Sequence, residues 1–198
     1  ISSPLFGTWI GASPETLIES KSNLATTMAL AGTIDTQSKE IWGNKEKIEQ
    51  EYVSDYILDC LNSKNVENII LTRQKEVNAG PVKHLLTTFN FRLNKNTAIE
   101  IAEALHPTPA ISGFPVHESL ELIASSEKHN RKLYAGIIGV LESSATNLFV
   151  NLRCAEIINN EAFLYLGGGF TKDSIVEAEW QETENKAKTL LNVIQKND

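Results

Sequence analysis

The chain has 198 residues, 41% of them hydrophobic and 22% charged, which is the profile of one soluble globular domain with a sizeable core. Its net charge of −7, with no basic cluster interleaved with aromatics, argues against a nucleic-acid partner. No run approaches the roughly 20 apolar residues of a membrane span, and the opening ISSPLFGTWIGASPE lacks the basic-then-apolar order of a signal peptide, so a cytoplasmic protein without a membrane partner is expected. Cys60 and Cys154 stand alone, outside any CxxC or Cys/His metal spacing, and read as core residues.

Residues 1–33 read as extended segments broken by turns at Gly7, Gly11, Pro14 and Gly32. From about Lys45 to Leu61 the period changes: Ile48, Tyr52, Val53, Tyr56, Ile57, Cys60 and Leu61 recur at helical spacing, with Glu46 and Glu49 on another flank. Residues 67–93 read as two strands, ENIILT and KHLLTTFNFRL, parted by a polar loop containing Ala79-Gly80-Pro81. Asn96 or Thr97 can cap a helix through Leu105, which His106-Pro107 ends because a residue before proline is pushed out of the helical region. A helix from about Pro115 to His129 follows, then strand-like LYAGIIGVLE, NLFVNLRCAEII and AFLYLGG, with Asn159-Asn160 as a hairpin turn. A last helix is predicted from about Ser174 to Gln195, opened by a Ser174/Glu177 capping box, with Ile175, Trp180, Leu190, Leu191 and Ile194 as its apolar surface. Strands in runs, rather than strict alternation with helices, favour an α+β fold in one domain spanning 1–198.

Two predicted helices each carry a carboxylate pair three residues apart, Glu46 with Glu49 and Glu179 with Glu182. Each pair lies on one helix face, so if the helices met, four carboxylates would converge on a site suited to a hard cation such as Mg²⁺. The same spacing is ordinary on a solvated helix of an acidic protein. Lys186 shares the face of Glu179 and Glu182, as an anion ligand or as an i,i+4 partner of Glu182. Gly167-Gly168-Gly169 follows a predicted strand, as an anion-binding nest or a flexible turn. Arg153, inside an apolar strand, needs a partner, either a ligand carboxylate or a structural one. The four histidines share no metal-ligand spacing, and no GxSxG elbow argues for a hydrolase.

Taken in order, GASPE (11–15), LAGT (30–33), KEKIEQEYV (45–53), HPTPAISGFP (106–115), EKHNRKLYAG (127–136), NLRCAEI (151–157), GGGF (167–170) and EWQETENK (179–186) resemble the chorismate-utilising enzymes. That family includes isochorismate, anthranilate, aminodeoxychorismate and salicylate synthases. HPTPAISGFP resembles the isochorismate synthase form of its loop, whereas anthranilate and aminodeoxychorismate synthases usually carry Gly-Thr or Gly-Ser followed by Gly-Ala-Pro-Lys. The resemblance implies two facing, mainly antiparallel sheets wrapped by helices, a chorismate substrate and a Mg²⁺ cofactor. It implies Glu49 and Glu182 as direct metal ligands, Glu46 and Glu179 as supporting carboxylates, and Glu15 as general acid. Arg153, Gly167 and Lys186 match positions that hold substrate carboxylates, with Tyr134, Ala110 and Ile111 lining the pocket and Gly32 and Thr33 near the ring; His84 and His106 fall near the site without an assigned role.

Two departures stand out. The family's usual Glu-His is Glu49-Gln50 here, and the family's general-base lysine lies on a strand upstream of Ser-Pro-Glu, where residues 1–14 contain no lysine. A domain truncated on its N-terminal side is therefore expected, less active alone and open to self-association through uncovered sheet edges. An anthranilate- or salicylate-type synthase and a non-catalytic chorismate-binding fragment are the rival readings, and the sequence does not separate a menaquinone from a siderophore pathway.

Overall fold

The computed structural model describes residues 1–37 and 42–194, which form two antiparallel sheets flanked by helices. In chain order the first elements are β1 (Ser2–Ser3), β2 (Gly7–Gly11), β3 (Thr16–Lys21), β4 (Leu24–Asp35), α1 (Asn44–Ser63), β5 (Glu67–Leu71), β6 (Lys75–Ala79) and β7 (Val82–Arg92). The rest are α2 (Ala98–Leu105), α3 (Pro109–Ser112), α4 (Val116–Ser126), β8 (Ile137–Leu141), β9 (Ala145–Val150), β10 (Cys154–Ile158), β11 (Glu161–Tyr165) and α5 (Val176–Ile194). The smaller sheet has the order β1-β2-β10-β11; the larger runs β5-β7-β4-β3-β9-β8, with β6 also paired to β7.

α1 buries Gln50, Val53, Ile57 and Leu61, a stripe recurring every three or four residues, and packs it on β4. Leu17, Ile18, Ala29, Phe89, Phe91, Ile101, Leu105, Leu148 and Val150 close the main core around that stripe. α2 starts as expected, Thr97 capping the Glu100 N–H while the Glu100 carboxylate accepts the Thr97 N–H at 2.7 Å. Asn159 and Asn160, at φ 49° and 68°, form the tight turn between β10 and β11.

Several expectations need correction. Residues 75–79, read as part of a polar loop, form β6, whose polarity suits a strand paired on one side only, with β7. NLFVNLRCAEII is not one strand: β9 ends at Val150 in the larger sheet and β10 begins at Cys154 in the smaller one. α4 stops at Ser126, and the strand read from Leu133 begins at Ile137 after a turn. α5 begins at Val176, the Ser174 hydroxyl accepts the Thr171 N–H at 2.9 Å, and the predicted end at Gln195 lies outside the described residues. Ile175 and Trp180 are two-thirds exposed, so the buried side of α5 rests on Ala187 and Leu190 instead.

Candidate active site

The chain passes between the two sheets twice, at residues 12–15 after β2 and at residues 151–153 after β9, and the two crossings run side by side. The Ala12 N–H donates to the Arg153 carbonyl at 3.2 Å and the Val150 N–H to the Glu15 carbonyl at 3.0 Å. The Ser13 hydroxyl donates to the Val150 carbonyl and accepts the Leu152 N–H. This seam carries Glu15 and Arg153. Arg153 sits at φ 45°, a left-handed conformation that a non-glycine residue holds only where its surroundings over-determine it.

Glu15 is 3% exposed, and its carboxyl accepts the Thr108 hydroxyl at 3.3 Å. Burial pushes its pKa up to about 7, against the Thr108 hydrogen bond and the Lys186 charge, which both act to lower it. A carboxyl group in that state can keep a proton near neutral pH and give it up.

The carboxylate cluster depends on a bulge. Between Ala31 and Thr33 the β4/β7 register shifts, and Gly32 takes φ 67°. A Cβ on Gly32 would lie 3.0 Å from both the Cβ and the carbonyl oxygen of Glu46, so glycine is what lets α1 settle onto the strand there. Gln50 fixes the contact from the helix side. Buried at 2% exposure, it accepts the Ala31 N–H at 2.9 Å and donates to the Ala29 carbonyl at 3.1 Å and the Thr87 hydroxyl at 3.3 Å. The departure from the family's histidine thus falls on a side chain that anchors the helix.

With α1 so placed, Glu49 faces α5. Lys45 reaches across, 2.5 Å from Glu179 Oε1 and 3.6 Å from Glu49 Oε1, while Lys186 lies 2.6 Å from Glu182 Oε1 and donates to the Gly167 carbonyl at 3.0 Å. Lys186 therefore fulfils the helix-pair reading and also touches the glycine turn. That turn covers the acids: a Cβ on Gly168 would come within 3.7 Å of Glu179 Oε2 and 3.9 Å of Glu182 Oε1, and one on Gly169 within 3.7 Å of Glu49 Oε1. Burial raises the Glu49 pKa to about 7; Lys45 opposes this, and the charges of Glu182, Glu179 and Glu46 add to it. Burial works against the Lys45 charge too, but Glu179, Glu49 and Glu182 outweigh it and raise its pKa. The Glu46 carboxylate accepts the Gly43 N–H at the start of α1.

Among the described residues, no three His, Cys, Asp or Glu side chains are already gathered around one point at metal-ligand spacing. The donor set nevertheless fits a hard divalent cation. Glu49 Oε1 and Glu179 Oε2 are buried without a hydrogen-bond partner, both are carboxylate oxygens, and both lie under the glycine turn. Lys45 was not singled out by sequence reasoning, although its i,i+4 spacing to Glu49 was the available signal.

The remaining residues line up around this core. Arg153, 6% exposed, donates to the Ala79 carbonyl at 3.0 Å and to His84 Nε2 at 2.7 Å. Its partners are thus neutral acceptors, and no carboxylate among the described residues pairs with it. Thr33 Oγ1 lies 3.3 Å from His84 Nδ1. A Cβ on Gly167 would lie 2.7 Å from the Tyr134 hydroxyl, whose pKa burial raises to about 12. Arg131, paired with Glu127, lies over the Tyr134 ring at 5.7 Å and donates to the Ile111 carbonyl at 3.4 Å, which fastens α3, with Ala110 and Ile111, beside Tyr134. His106 donates from Nε2 to the Ala135 carbonyl at 2.7 Å. Two clefts of about 390 and 480 Å³, one lined by Trp42, Lys47 and Glu76 and the other by Ile1, Trp9 and Phe149, contain none of the carboxylates or cations of this constellation, although the second reaches the seam at Ser13 and Asn151.

Residues 6–195 match the family model described as chorismate binding enzyme. The chain belongs to the chorismate-binding enzymes. Within that family it is 32% identical to isochorismate synthase EntC of Escherichia coli K12, across 94% of this chain and 51% of EntC. Among solved structures of chorismate-binding enzymes, MenF, the menaquinone-specific isochorismate synthase of E. coli, superposes with a TM-score of 0.82 at 30% identity, over 92% of this chain and 46% of MenF. Anthranilate synthase component I of Streptococcus pneumoniae gives 0.75 at 27% identity, over 91% and 42%. The chain spans about half the length of the relatives it matches. The likeness to both chemistries identifies the α+β fold and the family, and leaves the choice of reaction to the site. Among the described residues no helix is long and apolar enough to cross a membrane.

Proposed function

We propose that this chain carries the Mg²⁺ and chorismate site of an isochorismate synthase, which converts chorismate to isochorismate by adding water at C2 and expelling the C4 hydroxyl. The observation that carries the reading is the meeting of α1 and α5, where Lys45 bridges Glu49 and Glu179 beneath a glycine turn and one buried oxygen of each of these carboxylates lacks a hydrogen-bond partner. Glu49 and Glu182 would hold the ion directly, with Glu46 and Glu179 in support. When bound, Mg²⁺ would supply positive charge to the ring carboxylate and so fix the substrate.

The chain's own residues supply the rest. Arg153 and Lys186 offer cationic donors to the enolpyruvyl carboxylate, beside Tyr134 and the open backbone at Gly167. Glu15, kept protonated by burial, gives its proton to the C4 oxygen as the C–O bond breaks, so the hydroxyl leaves as water. The attacking water loses a proton to a base, which the resemblance puts on a lysine upstream of Ser-Pro-Glu; the two transfers balance and the net change is an isomerisation. EntC and MenF, both isochorismate synthases, and the HPTPAISGFP loop support water rather than ammonia as the nucleophile.

The test is product analysis with chorismate and saturating Mg²⁺, using the 198-residue chain and a chain extended upstream to include the lysine-bearing strand. The extended chain should form isochorismate, unaffected by added ammonia, and the 198-residue chain should bind chorismate but turn it over slowly. Anthranilate formed on adding ammonia would overturn the assignment.

A further inference from the structure

His84 is buried beside the site, yet the mechanism above gives it no task. Its partners fix its chemical state. A guanidinium can only donate, so the ring nitrogen that meets Arg153 Nη2 at 2.7 Å must offer a lone pair. A carbonyl oxygen can only accept, so the nitrogen 3.0 Å from the Gly32 carbonyl must carry the proton. His84 is therefore the neutral Nδ1–H tautomer, tied to the β4 bulge on one side and to Arg153 on the other. Burial first, then the Arg153 and Lys186 charges, lower its pKa to about 4, while its bond to Gly32 works the other way.

Among the described residues, Arg153 hydrogen-bonds to this ring and to the Ala79 carbonyl alone. Burial disfavours its charge, and the Glu182 carboxylate, beyond ion-pair contact, offsets this only in part, so a buried cation with two neutral acceptors gains when something anionic joins it. Its remaining N–H groups are free to receive such a ligand, but only if the guanidinium is kept from rotating.

We infer that neutral His84 is the positioning residue of Arg153: it anchors the guanidinium to the Gly32 bulge, so that the same bulge that seats the metal helix also aims the carboxylate-binding arginine. This rests on the reading of Arg153 as a substrate-carboxylate ligand. His84 acts through Arg153 and is not itself assigned to the reacting atoms.

The experiment measures chorismate affinity by calorimetry in Mg²⁺ for wild type, His84→Leu, His84→Gln, Arg153→Ala and the His84→Leu/Arg153→Ala double variant. It adds ¹⁵N-histidine NMR without substrate. Losing an acceptor for a charged donor should weaken binding about tenfold or more in His84→Leu. His84→Gln, with an amide oxygen for Arg153 and an N–H for Gly32, should recover most of it, and the double variant should be no worse than Arg153→Ala alone. NMR should show His84 as the Nδ1–H tautomer from pH 5 to 8, with Nε2 shifting on Arg153→Ala. Wild-type affinity in His84→Leu, fully additive losses, or an imidazolium at pH 6 would overturn the inference. If wild type keeps the NMR signature but binds no chorismate, the substrate reading fails and the His84–Arg153 unit stands.

Discussion

Glu15 meets the most exacting demand in the site, because a carboxylic acid donates a proton near neutrality only when its surroundings disfavour the charged form. Burial between the two crossings does that here. In a chain that turns chorismate over, Glu15→Gln should lower kcat roughly 10²–10⁴-fold with little change in KM, as steady-state kinetics would read, and near-normal turnover would remove Glu15 from the mechanism. Stability supplies a second, independent readout. The folded pKa of about 7 lies above the ordinary 4.5, so between those values the native state holds a proton that the unfolded chain has lost, and stability falls as pH rises through that window. The cost at pH 8 is on the order of 3 kcal/mol, so Glu15→Gln should melt several degrees above wild type at pH 8 and level with it near pH 4. The glutamate itself was legible only through Ser-Pro-Glu in the resemblance. Its partner Thr108 was not, because a hydroxyl 93 residues away carries no local signal.

At the scale of elements, the Gly32 bulge is where strand geometry becomes site geometry. Gly32→Ala must place a Cβ at φ 67° and against Glu46, so it should cost roughly 1–2 kcal/mol in backbone strain alone, lowering Tm by several degrees. It should also weaken Mg²⁺ binding, because α1 can no longer settle; a variant with normal Tm and normal metal affinity would show that the helix is placed by its apolar stripe alone. That stripe was legible, since Val53, Ile57 and Leu61 repeat at helical period, and so was the Asn159-Asn160 turn. The break at 151–153 was not. Asn151-Leu152-Arg153 keeps the polar/apolar alternation of a strand, and a change of sheet is decided by distant pairings, β9 with β3 and β10 with β2. β6 was missed for the opposite reason: its residues are polar, and only pairing with β7 makes them a strand.

Across the whole molecule, the convergence of α1 and α5 was beyond the reach of spacing, which puts each carboxylate pair on a face but does not say that the faces meet. Only the resemblance predicted the meeting, and Lys45 was hidden inside it. Lys45 neutralises Glu49 and Glu179, so on the proposed reading it competes with an incoming cation for the same carboxylates. Lys45→Met should therefore melt lower than wild type in EDTA, as unbalanced carboxylates repel, and gain more stability than wild type on adding Mg²⁺. A smaller gain than wild type would mean that the ammonium assists the ion.

The central claim, that Glu49 and Glu182 hold a Mg²⁺ ion that fixes chorismate, is tested most directly by calorimetric titration of chorismate in Mg²⁺ and in EDTA, on wild type and on Glu49→Gln/Glu182→Gln. Wild type should bind at least about tenfold tighter with Mg²⁺ than without, and the double variant should show no such difference. Equal affinity in EDTA and Mg²⁺ for wild type, or an undiminished Mg²⁺ effect in the double variant, would contradict it.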